Sequence, residues 1–245
     1  MSGNMFGPYR LLVAAAEPAP WLRDQCGHRA VGGIAVIDTA AEAVIEPLTV
    51  SGVDLNGTLV ATPDGQHLLV TALGNQLAVV DAQTGHLVDT IDVGLQPIAL
   101  AVTADGRITY VLDNNGDRIS VIDTAARAVF RTIDIGADTG ATSLALAPDG
   151  RFAYVGNPET TTVVDLTTGT VVTTLPAGGA RLAVAPGGTR VFTTNETGLS
   201  VIAPISRTVL DTIPIYSAFD VAVLPDGSRG YVSTAFDVFV VAIDR

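Results

Sequence analysis

Residues 99–136 read ALAVTADGRITYVLDNNGDRISVIDTAARAVFRTIDIG, and much of the chain repeats their pattern. The stretch holds four short segments rich in Val, Ile and Thr, with Ala-Asp-Gly, Asn-Asn-Gly-Asp and Thr-Ala-Ala-Arg between them. Gly, Asn and Asp are typical of turns, because they adopt or support backbone conformations that other residues avoid. The stretch therefore predicts four antiparallel strands joined by tight turns.

The third segment, ISVIDT, recurs along the chain. Its echoes are IAVIDT at 34–39, LAVVDA at 77–82, TTVVDL at 161–166, LSVIAP at 199–204 and FVVAID at 239–244. The aspartates Asp38, Asp81, Asp123 and Asp165 are 43, 42 and 42 residues apart, whereas Ala203 replaces the fifth. Turns of Pro-Asp-Gly type recur in phase at 63–65, 104–106, 148–150, 186–188 and 225–227.

Four strands in about 42 residues is the period of one blade of a β-propeller. We therefore expect an all-β fold: a single β-propeller of six blades, each a four-stranded antiparallel sheet, with seven blades the less favoured count. The predicted blades are residues 7–52 with an insertion at 17–33, then 53–94, 95–136, 137–178, 179–216 and 217–245.

The two terminal blades look incomplete. We call a strand second-type or third-type when it matches the second or third strand of the four-strand repeat. The first predicted strand, residues 10–16, is second-type, and the last is the third-type strand of the last blade. Three explanations stay open: the first residues supply a missing strand, the ring closes imperfectly, or a second subunit of a homodimer covers the gap.

These residues resemble the YVTN family of β-propellers, whose repeat joins a Pro-Asp-Gly turn, a YVTN strand, a VSVIDT strand and a final strand. Residues 99–136 match it best, and the resemblance extends from about residue 7 onward. It implies the propeller fold but no particular activity, because the family includes surface proteins, binding modules and enzyme-associated propellers. Complete members usually have seven blades, whereas six third-type strands are found here.

Composition excludes several classes of function. All 13 basic residues are arginine against 25 acidic residues, which gives a net charge of −12. Without lysine, the chain cannot form a Schiff base or a P-loop lysine contact. The acidic balance disfavours binding to nucleic acid and to anionic membranes. One cysteine, Cys26, excludes an internal disulfide, and no signal peptide or membrane segment is found, so we expect a soluble cytoplasmic protein.

Ligand sites are expected at one end of the predicted blades. Connections between blades and loops between second and third strands share this end, which we call the loop-rich end; the Pro-Asp-Gly turns share the opposite, PDG end. The insertion 17–33 belongs to the loop-rich end and is the longest irregular segment. It is either a surface excursion with Trp21 plugging the ring, or a lid that places ligand-binding residues over the channel. The candidates are Trp21, Arg23, Asp24, His28 and Arg29.

The first residues of the innermost strands form a second candidate group. The position of Ala99 is filled by Thr58 and Ser143 in two blades, but by Arg181 and Asp220 in the last two. The charged pair is either a salt bridge between blades or an anion-binding arginine beside an acid or base. Neighbouring candidate ligand residues are Tyr216, Asn195 and Glu196.

We expect no metal site and no cofactor. His28 belongs to the loop-rich end, whereas His67 and His86 belong to the PDG end, so three ligands do not converge. Residues 113–117 contain several oxygen ligands but lack the later glutamate of a calcium loop and are explained by a hairpin turn.

Two functions remain open. The first is a binding module that presents a site for a small molecule or a protein at the loop-rich end. The alternative is a cytosolic small-molecule enzyme of lyase or cyclase type, with Arg181, Asp220 and His28 as catalytic residues under the 17–33 loop.

Overall fold

The computed structural model describes residues 10–15, 33–38, 43–113, 117–136, 140–179, 181–195 and 197–243. Regular structure within these residues is entirely β, with 22 strands in six sheets. The chain divides into two compact units: unit 1 is Met1–Gly116 with Ser120–Arg131, and unit 2 is Asp117–Ile119 with Thr132–Arg245. No described segment forms a helix long and apolar enough to cross a membrane.

The first three sheets have the orders β1-β2-β3, β4-β5-β6-β7 and β8-β9-β10-β11. Within each of these sheets, neighbouring strands are therefore also consecutive in the sequence. The strands are β1 (Arg10–Ala15), β2 (Gly33–Asp38), β3 (Ala43–Thr49), β4 (Leu55–Ala61), β5 (His67–Ala72), β6 (Gln76–Asp81), β7 (Leu87–Asp92), β8 (Pro97–Val102), β9 (Ile108–Asp113), β10 (Arg118–Asp123) and β11 (Ala128–Asp134).

The last three sheets have the orders β12-β13-β14-β15, β16-β17-β18-β19 and β20-β21-β22, and all their neighbouring strands are antiparallel. The strands are β12 (Ser143–Leu146), β13 (Phe152–Gly156), β14 (Thr161–Asp165), β15 (Thr170–Leu175), β16 (Arg181–Val184), β17 (Val191–Asn195), β18 (Gly198–Ala203), β19 (Thr208–Ile213), β20 (Asp220–Val223), β21 (Arg229–Ser233) and β22 (Val238–Ala242).

The predicted six blades, with incomplete terminal blades, are confirmed for the described residues. Four sheets have four strands, and the first and last sheets have three. The first sheet begins with a second-type strand and the last ends with a third-type strand, as expected. β22 therefore lies at a sheet edge in the described residues, and its Val238, Phe239 and Val240 side chains are exposed.

In unit 1, the core consists of apolar clusters between successive sheets. One cluster joins Ile34 of β2 to Leu68 and Val70 of β5, and the other joins Leu77 of β6 to Val111 of β9. The middle strands of the second sheet, β5 and β6, are buried on both faces, because the first sheet covers one face and the third sheet covers the other. Full burial of one Val or Leu side chain contributes about 1.5–3 kcal/mol, so these clusters hold the sheets together.

In unit 2, the same arrangement recurs. Tyr154 and Val163 of the fourth sheet pack against Val191 and Ile202 of the fifth sheet. A second cluster, between the fifth and sixth sheets, contains Phe192, Leu199, Val221 and Val232. Sheet-to-sheet packing of this kind explains why the middle strands read as nearly continuous apolar runs.

The Pro-Asp-Gly turns repeat one hydrogen-bonding pattern. In the turn before β13, the N–H of Gly150 donates to the carbonyl of Ala147 at 2.9 Å, and the N–H of Arg151 donates to Oδ1 of Asp149 at 2.9 Å. Gly150 has a φ of 69°, a conformation that glycine adopts without strain. The aspartate and the glycine of the sequence motif therefore have distinct structural roles.

Candidate functional site

Four of the predicted site residues lie at the loop-rich end of unit 2. Arg181 begins β16, Asp220 begins β20 and Asn195 ends β17, while Tyr216 lies in the connection between β19 and β20. Antiparallel pairing brings the start of each first strand beside the end of its second strand, as in the pair Arg181 and Thr194. Arg181, Asp220, Asn195 and Tyr216 therefore occupy one end of the fifth and sixth sheets.

Six other candidates, and most of the 17–33 insertion, lie outside the described residues. They are Trp21, Arg23, Asp24, His28, Arg29 and Glu196. The lid interpretation, and with it the enzyme alternative, stays a prediction.

Arg181 links two neighbouring sheets of unit 2. Its side chain is exposed, and its Nη1 donates to the carbonyl of Thr142 at 3.5 Å. Thr142 directly precedes β12, the innermost strand of the fourth sheet. Arg181 therefore contributes to positioning the strand starts at this end.

Asp220 occupies the corresponding place in the sixth sheet. Its exposed carboxylate accepts a hydrogen bond from the N–H of Val221 at 2.8 Å through Oδ1. The carbonyl of the preceding Phe219 accepts from Thr194 Oγ1 at 3.3 Å, and Thr194 is the cross-strand partner of Arg181. Arg181 and Asp220 thus begin the innermost strands of adjacent sheets, with Thr194 between them.

Asn195 has a structural role in the β17–β18 turn. Its Oδ1 accepts from the N–H of Thr197 at 2.9 Å, from Thr197 Oγ1 at 2.7 Å and from the N–H of Gly198 at 2.9 Å. Its Nδ2 donates to the carbonyl of Gly178 at 3.1 Å. Asn157 of the fourth sheet accepts from the N–H groups of Glu159 and Thr160 in the same way. The recurrent asparagine is explained by turn formation, since an Asn side chain can replace a backbone acceptor.

Aromatic side chains give the loop-rich end of unit 2 its exposed apolar surface. Tyr216 is 89% exposed, Phe219 56% and Phe236 93%. Phe236 lies in the turn between β21 and β22, and Phe219 directly precedes β20. Tyr216 was among the residues predicted from the sequence, whereas the two phenylalanines were not. A repeated Ala-Phe-Asp at 218–220 and 235–237 is the signal that would have found them.

Aspartates with a lowered pKa lie at the opposite, PDG end. The Thr62 hydroxyl is the main cause of the lowered pKa of Asp64, and the Thr103 hydroxyl has the same effect on Asp105. Each hydroxyl donates to its carboxylate at 2.6 Å. Hydrogen bonds that stabilise the ionised form lower a pKa, so these shifts arise from turn structure.

Hydrogen bonds also lower the pKa of aspartates that end third-type strands. The Thr84 hydroxyl, at 2.7 Å from Oδ1, is the main cause of the lowered pKa of Asp81. The N–H of Thr168 is the main cause for Asp165, which also pairs with Arg151 at 3.3 Å. Among the described residues, no three His, Cys, Asp or Glu side chains come together in a way that would hold a metal ion.

Comparison with known proteins identifies the fold. No protein-family model matches the sequence, and no curated protein matches it either. A chain of Kuenenia stuttgartiensis hydrazine synthase is similar to it, with a TM-score of 0.64 and 26% sequence identity over 71% of the present chain. The match covers 54% of the hydrazine synthase chain, so the present chain spans about half of that structure's length.

The similar hydrazine synthase chain has a β-propeller fold. Together with the six antiparallel sheets, this similarity assigns the present chain to the β-propeller fold class. Similarity extends to 1629 chains of solved structures, which indicates a common architecture and assigns no activity.

Proposed function

We propose that this chain is a β-propeller binding module whose contact surface is the loop-rich end of unit 2, and that its partner is a protein segment. The observation that carries the proposal is the exposure of three aromatic side chains at that end. They are Tyr216, Phe219 and Phe236.

Exposed aromatic side chains are favourable anchors for a partner protein. They bury a large apolar area on binding at a small cost in conformational entropy, and they are enriched among residues that dominate binding energy. Tyr216, Phe219 and Phe236 are far more exposed than the core aromatics Tyr154 and Phe192, at 2% and 3%. Large exposed apolar side chains at one end of a fold are typical of interaction surfaces.

The backbone around the two phenylalanines is held in place before any partner binds. The N–H of Phe219 donates to the carbonyl of Ser233 at 2.8 Å. The N–H groups of Phe236 and Asp237 donate to Thr234 Oγ1 at 3.3 and 3.0 Å. A preorganised surface loses less entropy on binding, so this rigidity favours recognition.

Charge indicates the kind of partner. Each phenylalanine is followed by an exposed aspartate, Asp220 or Asp237, and the whole chain has a net charge of −12. Opposite charge speeds association and favours the correct partner. The segment that fits this surface therefore combines apolar anchors with Arg or Lys residues.

The test uses random twelve-residue peptides displayed on phage and selected against the full chain. We expect the selected peptides to be rich in aromatic or aliphatic residues together with Arg or Lys. Synthetic versions of these peptides are then titrated against a variant with Tyr216→Ser, Phe219→Ser and Phe236→Ser. Loss of several anchors should weaken binding at least about tenfold.

Leu210→Ser provides the matched control, because Leu210 is 50% exposed but lies on the outer strand β19. The control should bind the selected peptides as the unmodified chain does. Equal binding by the triple variant, or a selection without basic and apolar residues, would refute the proposal.

A further inference from the structure

The fifth sheet departs from the repeat at the PDG end. Ala203 stands where Asp81, Asp123 and Asp165 stand in three other sheets. Gly187 stands where the other Pro-Asp-Gly-type turns have Asp64, Asp105, Asp149 and Asp226. In a strongly acidic chain, one sheet has therefore lost two carboxylates from the same end.

The turn after β18 has a second unusual residue. Arg207 has a φ of 55°, and the corresponding residue in the fourth sheet is Gly169, with a φ of 71°. Residues other than glycine rarely adopt this conformation. Arg127 occupies the same position in the third sheet, with a φ of 54°, and forms an ion pair with Asp89 at 3.7 Å. Arg207 forms no ion pair with any residue that the structure describes.

A cavity of about 480 Å³ lies beside these two departures, within unit 2. Its volume is in the usual range for a small-molecule site. Its lining comes from the turns at the PDG end of the fourth and fifth sheets and from the start of β13. The lining includes Asp149, Arg151, Phe152, Tyr154, Ile205 and Arg207.

The two arginines of the cavity differ in whether a carboxylate of the protein balances their charge. Arg151 Nη2 lies 3.3 Å from Oδ2 of Asp165, so its charge is balanced inside the fourth sheet. Both arginines lie over the ring of Phe152, and their guanidinium carbons are 4.9 Å (Arg151) and 5.8 Å (Arg207) from the ring centroid. A cation over an aromatic face gains some energy but keeps its N–H donors. Arg207 is thus the cation available to a ligand.

Tyr154 supplies a hydroxyl group to the cavity. Only 2% of the residue is exposed, and its side chain lines the cavity. Burial, with a smaller effect from Asp149, raises the pKa of Tyr154 above its ordinary value of 10.0. The hydroxyl is therefore protonated at neutral pH and can donate.

We propose that this cavity binds a small aromatic carboxylate. The carboxylate accepts hydrogen bonds from the guanidinium of Arg207 and the hydroxyl of Tyr154, while the ring of the ligand packs against the exposed Ile205. The loss of carboxylates at Ala203 and Gly187 removes repulsion against the anion. Asp149, which lines the cavity, disfavours a dianion such as phosphate.

The experiment is a calorimetric titration of the full chain with benzoate. Benzamide and inorganic phosphate serve as comparison probes: the first keeps the ring without the charge, and the second is an anion of higher charge that has no ring. We expect saturable binding of benzoate and at least about tenfold weaker binding of the other two, since a charge-assisted hydrogen bond accounts for about that factor. Phosphate binding as tightly as benzoate would overturn the aromatic part of the proposal.

Arg207→Gly is the decisive variant, because glycine suits the backbone of this turn and the fold should be retained. We expect it to weaken benzoate binding at least about tenfold. Arg127→Gly is the matched control, since it makes the same change at the same turn position of another sheet, and it should bind as the unmodified chain does. No saturable benzoate binding, or equal binding by the Arg207→Gly variant, would overturn the proposal.

Tyr154→Phe gives a second readout that does not depend on Arg207. It removes the hydroxyl alone, and we expect benzoate binding to fall by about three- to tenfold while benzamide binding changes less. An equal loss for both probes would show that the hydroxyl does not contact the carboxylate. This outcome concerns the PDG end only and leaves the peptide surface at the loop-rich end unaffected.

Discussion

The turns that follow β14 and β18 in unit 2 share a backbone and differ in chemistry. In the fourth sheet, the N–H of Gly169 donates to the carbonyl of Asp165 at 2.7 Å; in the fifth, the N–H of Arg207 donates to the carbonyl of Ala203 at 2.8 Å. Asp165 Oδ1 also accepts from the N–H groups of Thr167 and Thr168 at 2.9 and 3.2 Å. Ala203 has no acceptor with which to do the same.

This difference shows which parts of the repeat the fold requires. The backbone hydrogen bond of the turn is kept in both sheets, whereas the aspartate and the glycine are lost in the fifth. Repeats are stabilised by contacts with their neighbours and can tolerate local losses. Residues that weaken a local structure often serve a binding role instead, and here they border the cavity of Tyr154 and Arg207.

The largest effect is expected at Tyr154, which packs between the fourth and fifth sheets. Tyr154→Ala should lower the free energy of unfolding by about 3–5 kcal/mol, because a large buried side chain is lost. Tyr154→Phe should lower it by less than about 1 kcal/mol, since only the hydroxyl is removed. Urea denaturation measures both. A large loss in the phenylalanine variant would show that the hydroxyl is bonded inside the protein.

Ala203→Asp should make the turn of the fifth sheet resemble that of the fourth. The new carboxylate can accept from the N–H groups of Ile205 and Ser206, and we expect about 1 kcal/mol of additional stability at neutral pH. Ala203→Asn is the control, because an amide supplies the acceptor without the charge. Only the aspartate variant should weaken benzoate binding, as compared by calorimetry. Equal binding by the two variants would contradict a role for charge at this turn.

The two turns also differ at their positive-φ position, which is Gly169 in the fourth sheet and Arg207 in the fifth. Exchanging these residues tests the effect of that difference on stability. Arg207→Gly should raise the free energy of unfolding by about 0.5–1 kcal/mol, and Gly169→Arg should lower it by a similar amount. Arg127→Gly should raise it less than Arg207→Gly does, because Arg127 also loses its contact with Asp89. Urea midpoints rank the three variants. A decrease for Arg207→Gly would mean that this arginine stabilises the folded chain.

The smallest effect concerns pH. Because the N–H of Thr168 and other donors lower the pKa of Asp165 below its ordinary 3.8, its contribution to stability is complete above that value. The contribution is lost as pH falls through the lowered folded-state value. The stability difference between the unmodified chain and Asp165→Asn should therefore shrink in acid. Urea midpoints over a pH series test this, and a difference that grows in acid would contradict it.

Much of the fold was predictable because its signals are local. The period of about 42 residues, the Pro-Asp-Gly turns and the apolar third strands each follow from short stretches of sequence. The three-stranded terminal sheets also followed, by counting segments from residue 10 and back from residue 245. Turn residues act through their own backbone, so no knowledge of distant contacts was needed.

The candidate sites were predicted less well. Arg181, Asp220 and Tyr216 were placed correctly at one end of the strands, because strand direction alone fixes that. Asn195 forms hydrogen bonds within its turn, and its predicted ligand-binding role stays a prediction. The exposure of Phe219 and Phe236 was not predicted. Exposure depends on which neighbouring sheet covers a side chain, and that information is not local.

By itself, the sequence determined the repeat, the strand order and the departures at Ala203, Gly187 and Arg207. Only the tertiary structure shows that the turns of two sheets meet beside Tyr154 and that a cavity lies between them. Burial, cavity volume and unpaired donors are properties of surfaces brought together from separate repeats. A pattern read along one repeat cannot contain them.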